Sequence, residues 1–232
     1  MTPAPDVRAF TVGPVQENCY IVRADPQATH AIVVDPGDEP ERLLQALEAL
    51  GVELDAILLT HCHFDHIGAV APLSKATGAP VYCPNIEQPL LTDVMRFVPP
   101  GFGPFENHEP EHLLAGGEHL NLARMDIDVL FTPGHSPGHL TYAIPGILLS
   151  GDVLFQGSVG RVDLPGGDWA TLERSIEDLV RAFPEDSVVY PGHMGVTTLG
   201  RELQTNPFLS EIRLRVAGAQ EAAGIRSPAA GS

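Results

Sequence analysis

The run Thr60-His61-Cys62-His63-Phe64-Asp65-His66 concentrates three imidazoles and a carboxylate within six residues. Such groups are normally exposed or paired, and a cluster this dense is hard to explain as packing. Neutral imidazole and carboxylate are good ligands for zinc, iron and manganese. His61 and His63 stand two apart, so in extended chain they point the same way. Asp65 and His66 follow an expected turn and can address a second point nearby, so one short loop can serve two metal ions. Cys62, between two candidate ligands, should point away from them and reads as packing.

Three later segments repeat one device, a polar residue just past an apolar run. They are Phe131-Thr132-Pro133-Gly134-His135, Leu148-Leu149-Ser150-Gly151-Asp152 and Val188-Val189-Tyr190-Pro191-Gly192-His193. Gly and Pro before the His or Asp permit tight turns at strand ends. That puts His135, Asp152 and His193 at a sheet edge, where a rigid scaffold can hold ligands.

The surrounding pattern supplies such a scaffold. Residues 7–13, 18–24 and 30–35 read as strands, and Pro40–Leu50 as a helix with Leu43, Leu44, Leu47 and Leu50 in period, ended by Gly51. Ala56–Leu59 is a buried strand before the His cluster, Ile67–Thr77 a helix and Val81–Cys83 a strand. Strands resume at 118–122, 126–132, 140–144 and 147–150. A helix over Trp169–Phe183 with Asp168 as N-cap, a strand at Ser187–Tyr190 and helices at Leu199–Gln204 and Phe208–Ala217 close the chain. Strands, helices, strands and helices again imply an α+β chain of two packed sheets with helices outside.

Residues 84–117 are broken by prolines, and a loop this long in a compact domain is often functional. With Phe97, Phe102 and Phe105 it reads either as a substrate wall or as an ordered surface excursion. His108, His112 and His119 read as bystanders to the metal chemistry.

The 232 residues suffice for one sizeable core, taken as residues 1–223, with a small-residue tail over 224–232 expected to be disordered. Thirty acidic against thirteen basic residues give a formal charge of −17, which lacks the electrostatic footprint for nucleic acid. No apolar run approaches the roughly 20 residues of a membrane span, and the N-terminus does not read as a secretory signal. A soluble cytoplasmic protein is expected. Cys19, Cys62 and Cys83 form no disulfide framework.

Taken together, THCHFDH (60–66), TPGHSPGH (132–139), SGDVLF (150–155) and YPGH (190–193) resemble the metallo-β-lactamase-fold hydrolases, most closely their short bacterial glyoxalase II-like branch. The resemblance implies an αββα sandwich of two mixed sheets, with the site at one edge. It implies His61, His63 and His135 on a first metal, Asp65, His66 and His193 on a second, and Asp152 bridging both. His139 is then no ligand but orients its loop. The implied cofactors are two divalent ions, zinc foremost, with iron or manganese as alternatives. The implied reaction is hydrolysis of a thioester such as S-lactoylglutathione by a hydroxide shared between the ions, with Asp65 or a metal-bound water shuttling the proton. The expected partner is a small anionic thioester, glutathione-linked if the likeness extends that far, and a homodimer is left open.

The likeness has limits. Full-length glyoxalase II enzymes carry a Cys-Gly-Lys-Phe-type segment after the Asp152 motif, where this chain reads Gly157-Ser158-Val159-Gly160-Arg161-Val162-Asp163. A Gly-Arg-x-Asp element also occurs in the one-iron persulfide dioxygenases of the same fold, which are the alternative reading, followed by a lactonase or other ester hydrolase. Arg161 either meets a substrate carboxylate or pairs with Asp163 as a strut.

Overall fold

The computed structural model describes residues 4–222. The chain opens with β1 (Asp6–Val12), β2 (Glu17–Arg23) and β3 (His30–Val34). It crosses through α1 (Pro40–Leu50) to β4 (Glu53–Leu58), and through α2 (Phe64–Ile67) and α3 (Val70–Thr77) to β5 (Val81–Pro84). A further passage through α4 (Gln88–Thr92) and a 3₁₀ turn at Val94–Arg96 leads to β6 (His112–Leu114). These strands form one sheet in chain order, antiparallel from β1 to β3 and parallel from β3 to β6.

The second half runs β7 (His119–Leu122), β8 (Met125–Phe131), β9 (Leu140–Ile144) and β10 (Ile147–Gly151). A small hairpin of β11 (Leu154–Phe155) and β12 (Ser158–Val159) follows, then α5 (Trp169–Ala182), β13 (Val188–Pro191), β14 (Thr197–Thr198), α6 (Leu199–Thr205) and α7 (Ser210–Ala222). The second sheet has the order β14-β13-β10-β9-β8-β7, and only β10 and β13 in it are parallel.

The period of two along each strand sorts side chains into three apolar layers. Ile21, Val33, Ile57 and Val81 face outward under Leu43 and Leu47 of α1 and Val70 and Leu73 of α3. Val22, Ile32, Val34 and Leu58 face inward and meet Ile127, Val129, Tyr142 and Leu149 of the other sheet. Leu148 and Val189 face the far side, covered by Leu172, Ile176 and Leu179 of α5, Leu199 and Leu203 of α6, and Ile212 of α7. Burying each such side chain contributes about 1.5–3 kcal/mol. The result is the expected αββα arrangement of two mixed sheets with helices outside. Among the described residues no helix is long and apolar enough to cross a membrane.

Three local expectations need correction. The helix expected over Ile67–Thr77 is two helices, α2 and α3. The Ala69 amide donates to the Pro36 carbonyl at 2.9 Å instead of continuing a ladder, so α2 ends as a single turn beneath the His cluster. Residues 84–117 are more regular than their prolines suggest: Pro89 sits in the first turn of α4, where its missing N–H costs nothing. Leu91 and Val94 are fully buried, and His112 adds an edge strand with its ring stacked on Tyr82. The β11–β12 hairpin was not anticipated. The Asp168 cap on α5 is present, its carboxylate accepting from the Thr171 amide at 2.8 Å. The expected tail over 224–232 lies outside the described residues.

Candidate metal centre

β4, β8, β10 and β13 all end at one edge of the sandwich, and each is followed by one of the turns singled out above. The two sheets are tied there by main chain. The Leu140 amide donates to the Thr60 carbonyl (2.8 Å) and the Asn18 amide to the Gly192 carbonyl (2.7 Å), while within the second sheet the Gly192 amide donates to the Gly151 carbonyl (2.9 Å). Two buried tyrosines add side-chain ties, Tyr142 Oη to the Leu59 carbonyl (2.7 Å) and Tyr20 Oη to the Pro191 carbonyl (2.6 Å).

Seven side chains converge at this edge. His61, His63 and His135 form one group whose donor atoms lie within 4.8 Å of one another, and Asp65, His66 and His193 form a second. Asp152 lies between the two. Its Oδ2 is 3.4 Å from His135 Nε2 and 3.6 Å from His193 Nε2, and its Oδ1 is 3.5 Å from His66 Nε2. His61 and His66 are fully buried, yet the Nε2 atoms of both, and Asp152 Oδ1, have no hydrogen-bond partner among the described residues. Buried polar atoms are rarely left so. Lone pairs converging from nitrogen and carboxylate oxygen fit divalent cations, which would satisfy them. Asp35, His61 and His66 make a third close group, but the Asp35 oxygens are already committed to Thr60 and His66.

The protonation pattern suits the same use. Burial, reinforced by neighbouring imidazoles, pushes His61 well down and His63 to about 4, so both are neutral at pH 7. In the second group burial acts the same way on His66, but the carboxylates of Asp152, Asp65 and Asp35 outweigh it and hold His66 above the ordinary imidazole range. Burial would raise Asp65, yet His66 and His193 hold it well below the usual carboxylate range. This half of the site is a cluster of close carboxylate–imidazole pairs.

Behind the donors lies a set of buried partners that orient them. His135 Nδ1 donates to the Arg161 carbonyl at 2.8 Å, which turns its Nε2 lone pair toward Asp152. His139 lies outside both donor groups. Its Nε2 accepts from the Asp152 amide (3.1 Å), so its proton sits on Nδ1 beside Thr132 Oγ1 (3.1 Å). Asp35 accepts from the Thr60 amide (2.7 Å) and hydroxyl (2.6 Å), and its Oδ2 takes His66 Nδ1 at 3.1 Å. Glu17, fully buried, lies 3.7 Å from the same Nδ1.

Glu87 joins the two ligand loops. It accepts from the Cys62 amide (2.6 Å), the Gly138 amide (3.0 Å) and the Ser136 hydroxyl. Burial pushes its carboxyl up, and these three donors oppose the rise. Two glycines are required by close approach. Gly134, at φ +133°, sits where a Cβ would enter the backbone of Leu172 in α5, and a Cβ on Gly192 would overlap the Asp152 carboxylate and the His66 ring.

Sequence reasoning gathered all seven converging side chains and set His139 apart, but it missed Asp35, Glu17 and Glu87. Asp35 carries a signal close to the one that found Asp152, a polar residue at the end of an apolar run, here with Pro36-Gly37 after it. Glu87 carries none. His108, His112 and His119 lie elsewhere, against Glu111, Tyr82 and Asp128. Cys62 is buried with its Sγ 3.5 Å from that of Cys83. Arg161 is paired through Nε and Nη2 with both oxygens of Asp163 at 2.7 Å, the strut of the two readings.

A cavity of about 640 Å³ opens over the cluster, with His63, Asp65, His135, Asp152 and His193 in its floor. Leu90, Phe97 and Pro99 form part of its wall, so the 84–117 segment borders the site.

Comparison with known proteins agrees with this geometry. The model of the metallo-beta-lactamase superfamily matches residues 12–193. Hydroxyacylglutathione hydrolase GloC of Haemophilus influenzae is 35% identical over 213 residues, 88% of this chain and 98% of that protein. The crystal structure of BLEG-1 B3 metallo-beta-lactamase superposes with a TM-score of 0.83 at 38% identity, over 88% of this chain and all of that one. TTHA1623 in a di-iron-bound form superposes with a TM-score of 0.72 at 42% identity, over the same shares. The chain belongs to the metallo-beta-lactamase superfamily and is a metallohydrolase of that fold.

Proposed function

We propose that the chain is a dinuclear thioester hydrolase of the hydroxyacylglutathione hydrolase type. One observation carries this reading: the Asp152 carboxylate stands between two complete sets of donors, within 3.6 Å of nitrogens from both. On this reading His61, His63 and His135 hold one ion, Asp65, His66 and His193 the other, and Asp152 both. A di-iron-bound relative at 42% identity and a named hydroxyacylglutathione hydrolase at 35% support it. Two ions so held would supply a water acidic enough to ionise near neutral pH and positive charge for a carbonyl oxygen.

The chain's own residues do the rest. His135 and His66 are oriented by the Arg161 carbonyl and the Asp35 carboxylate, so the donors are fixed before substrate arrives. Asp65, kept ionised and lining the cavity, is the proposed acceptor for the proton released by the attacking water. The acyl carbon gains oxygen, the carbon–sulfur bond breaks, and the thiolate leaves through the cavity.

Metal content measured alongside turnover of S-lactoylglutathione tests the proposal. Two ions per chain with thioester cleavage is the expected result. One iron per chain, with oxygen consumption on glutathione persulfide and no thioester cleavage, would replace it with the dioxygenase. An Asp152→Ala variant that kept full metal content and turnover would remove the bridge from the scheme.

A further inference from the structure

The cavity wall carries information about the substrate that the metal donors do not. Above the floor its lining is Val15, Leu90, Phe97, Phe155, Leu164 and Met194, with Val159 and prolines between them. Val15, Phe97 and Met194 are 38%, 47% and 57% exposed. They come from three distant parts of the chain and gather at one mouth. Exposed apolar side chains clustered around a concave site mark a ligand surface rather than ordinary scatter.

Charge is scarce on that wall. Arg161 is the one lysine or arginine among the described lining residues, and its Nε and Nη2 are taken by the two oxygens of Asp163. Arg96 lies over the Phe97 ring at 5.5 Å but outside the lining. A glutathione carrier brings two carboxylates to a protein of formal charge −17 and meets on this wall one arginine, already paired with Asp163.

Resting on the hydrolase reading above, we infer that the preferred substrates are thioesters with an apolar acyl chain, recognised by burial of that chain against Leu90, Phe97, Phe155 and Leu164 and indifferent to the charge of the thiol carrier. Water adds to the acyl carbon, the carbon–sulfur bond breaks, and a carboxylic acid and a thiol form with no redox partner.

The test is a matrix of straight-chain acyl groups of two to eight carbons on N-acetylcysteamine, a neutral carrier, and on glutathione, assayed with the metal-loaded enzyme. At about 0.8 kcal/mol per buried methylene, kcat/KM should rise up to about fourfold per added carbon. Neutral carriers should perform at least as well as glutathione. Phe97→Ala, at a half-exposed position, should flatten the chain-length slope, and Met194→Ala, at another exposed position of the same lining, should do likewise. Calorimetric titration with non-hydrolysable S-alkyl-N-acetylcysteamine thioethers gives a second readout, with the same slope expected in Kd. A flat slope in both readouts, or a tenfold preference for glutathione carriers, overturns the inference and leaves the hydrolase reading standing. Chain-length-dependent thioether binding without cleavage of any thioester upholds the apolar wall and sinks the hydrolase reading.

Discussion

Glu87 offers a sharp test of how the site is held, because it binds no metal on our reading. Its carboxylate takes the Cys62 amide on one oxygen and the Gly138 amide and Ser136 hydroxyl on the other, deep in the protein. Consider Glu87→Gln, which keeps size and shape. The amide offers one acceptor oxygen. If that oxygen faces Gly138, the new NH₂ faces the Cys62 N–H, and if it is turned round, it faces the Gly138 N–H. The serine hydroxyl can rotate to accept, but a main-chain N–H cannot. Either way one buried donor is stranded, at a cost of about 1–3 kcal/mol. For a chain of this size that corresponds to a loss of about 2–12 °C in Tm. Because Cys62 lies between His61 and His63, and Gly138 lies three residues past His135, the two loops should also lose register. Groups that orient metal ligands typically contribute about 10–100-fold in affinity, and that is the loss expected here. Zinc affinity by chelator competition, with apoprotein Tm measured alongside, separates the two effects. A variant that melts lower but binds zinc within twofold of wild type would make Glu87 ordinary scaffolding. Unchanged Tm and affinity together would refute the hydrogen-bond accounting itself.

Three further outcomes are expected. Gly192→Ala should fold, since β13 is complete before it, but its methyl would press on Asp152 and His66, so metal content should fall below half of wild type by atomic absorption. Chelation should lower Tm steeply, because an ion present at about 1,000 times its Kd stabilises by about 4 kcal/mol; a Tm unmoved by excess chelator would speak against tight binding. At the far end of β1, burial raises Asp6, but hydrogen bonds from Arg23 and Arg8 more than offset this and hold its carboxyl below the usual range. A depressed folded pKa means stability that is fully present above the unfolded value near 3.9 and lost as pH falls through the folded one. Chemical denaturation of wild type and Asp6→Asn should therefore differ by a constant amount at pH 5–8 and converge below about pH 4.

What could be read from the chain alone follows from the range over which each interaction acts. His61, His135, Asp152 and His193 advertise themselves locally: a buried strand ends, a turn follows, and a ligand type sits where apolar pattern stops. The parallel pairing of β10 with β13 then brings the Asp152 and His193 turns side by side, with the Gly192 amide on the Gly151 carbonyl. Asp35 obeys the same rule at the end of β3, but read as the last residue of a strand over 30–35 it was hidden among the strand residues. Glu17 and Glu87 obey no local rule. Glu87 reaches its partners across 25, 49 and 51 residues, and two of those partners are main-chain amides, which every residue but proline supplies. A carboxylate that recognises a backbone shape leaves no complementary side chain to betray it. In a segment punctuated by prolines it looks like any solvated glutamate. The residues that hold the ions are thus legible because the chemistry restricts them to few types at strand ends. The residues that hold those residues become visible only once the chain is folded. The apolar wall falls between the two cases: Phe97 stood out in the sequence, but its alignment with Val15 and Met194 around one mouth is a product of topology.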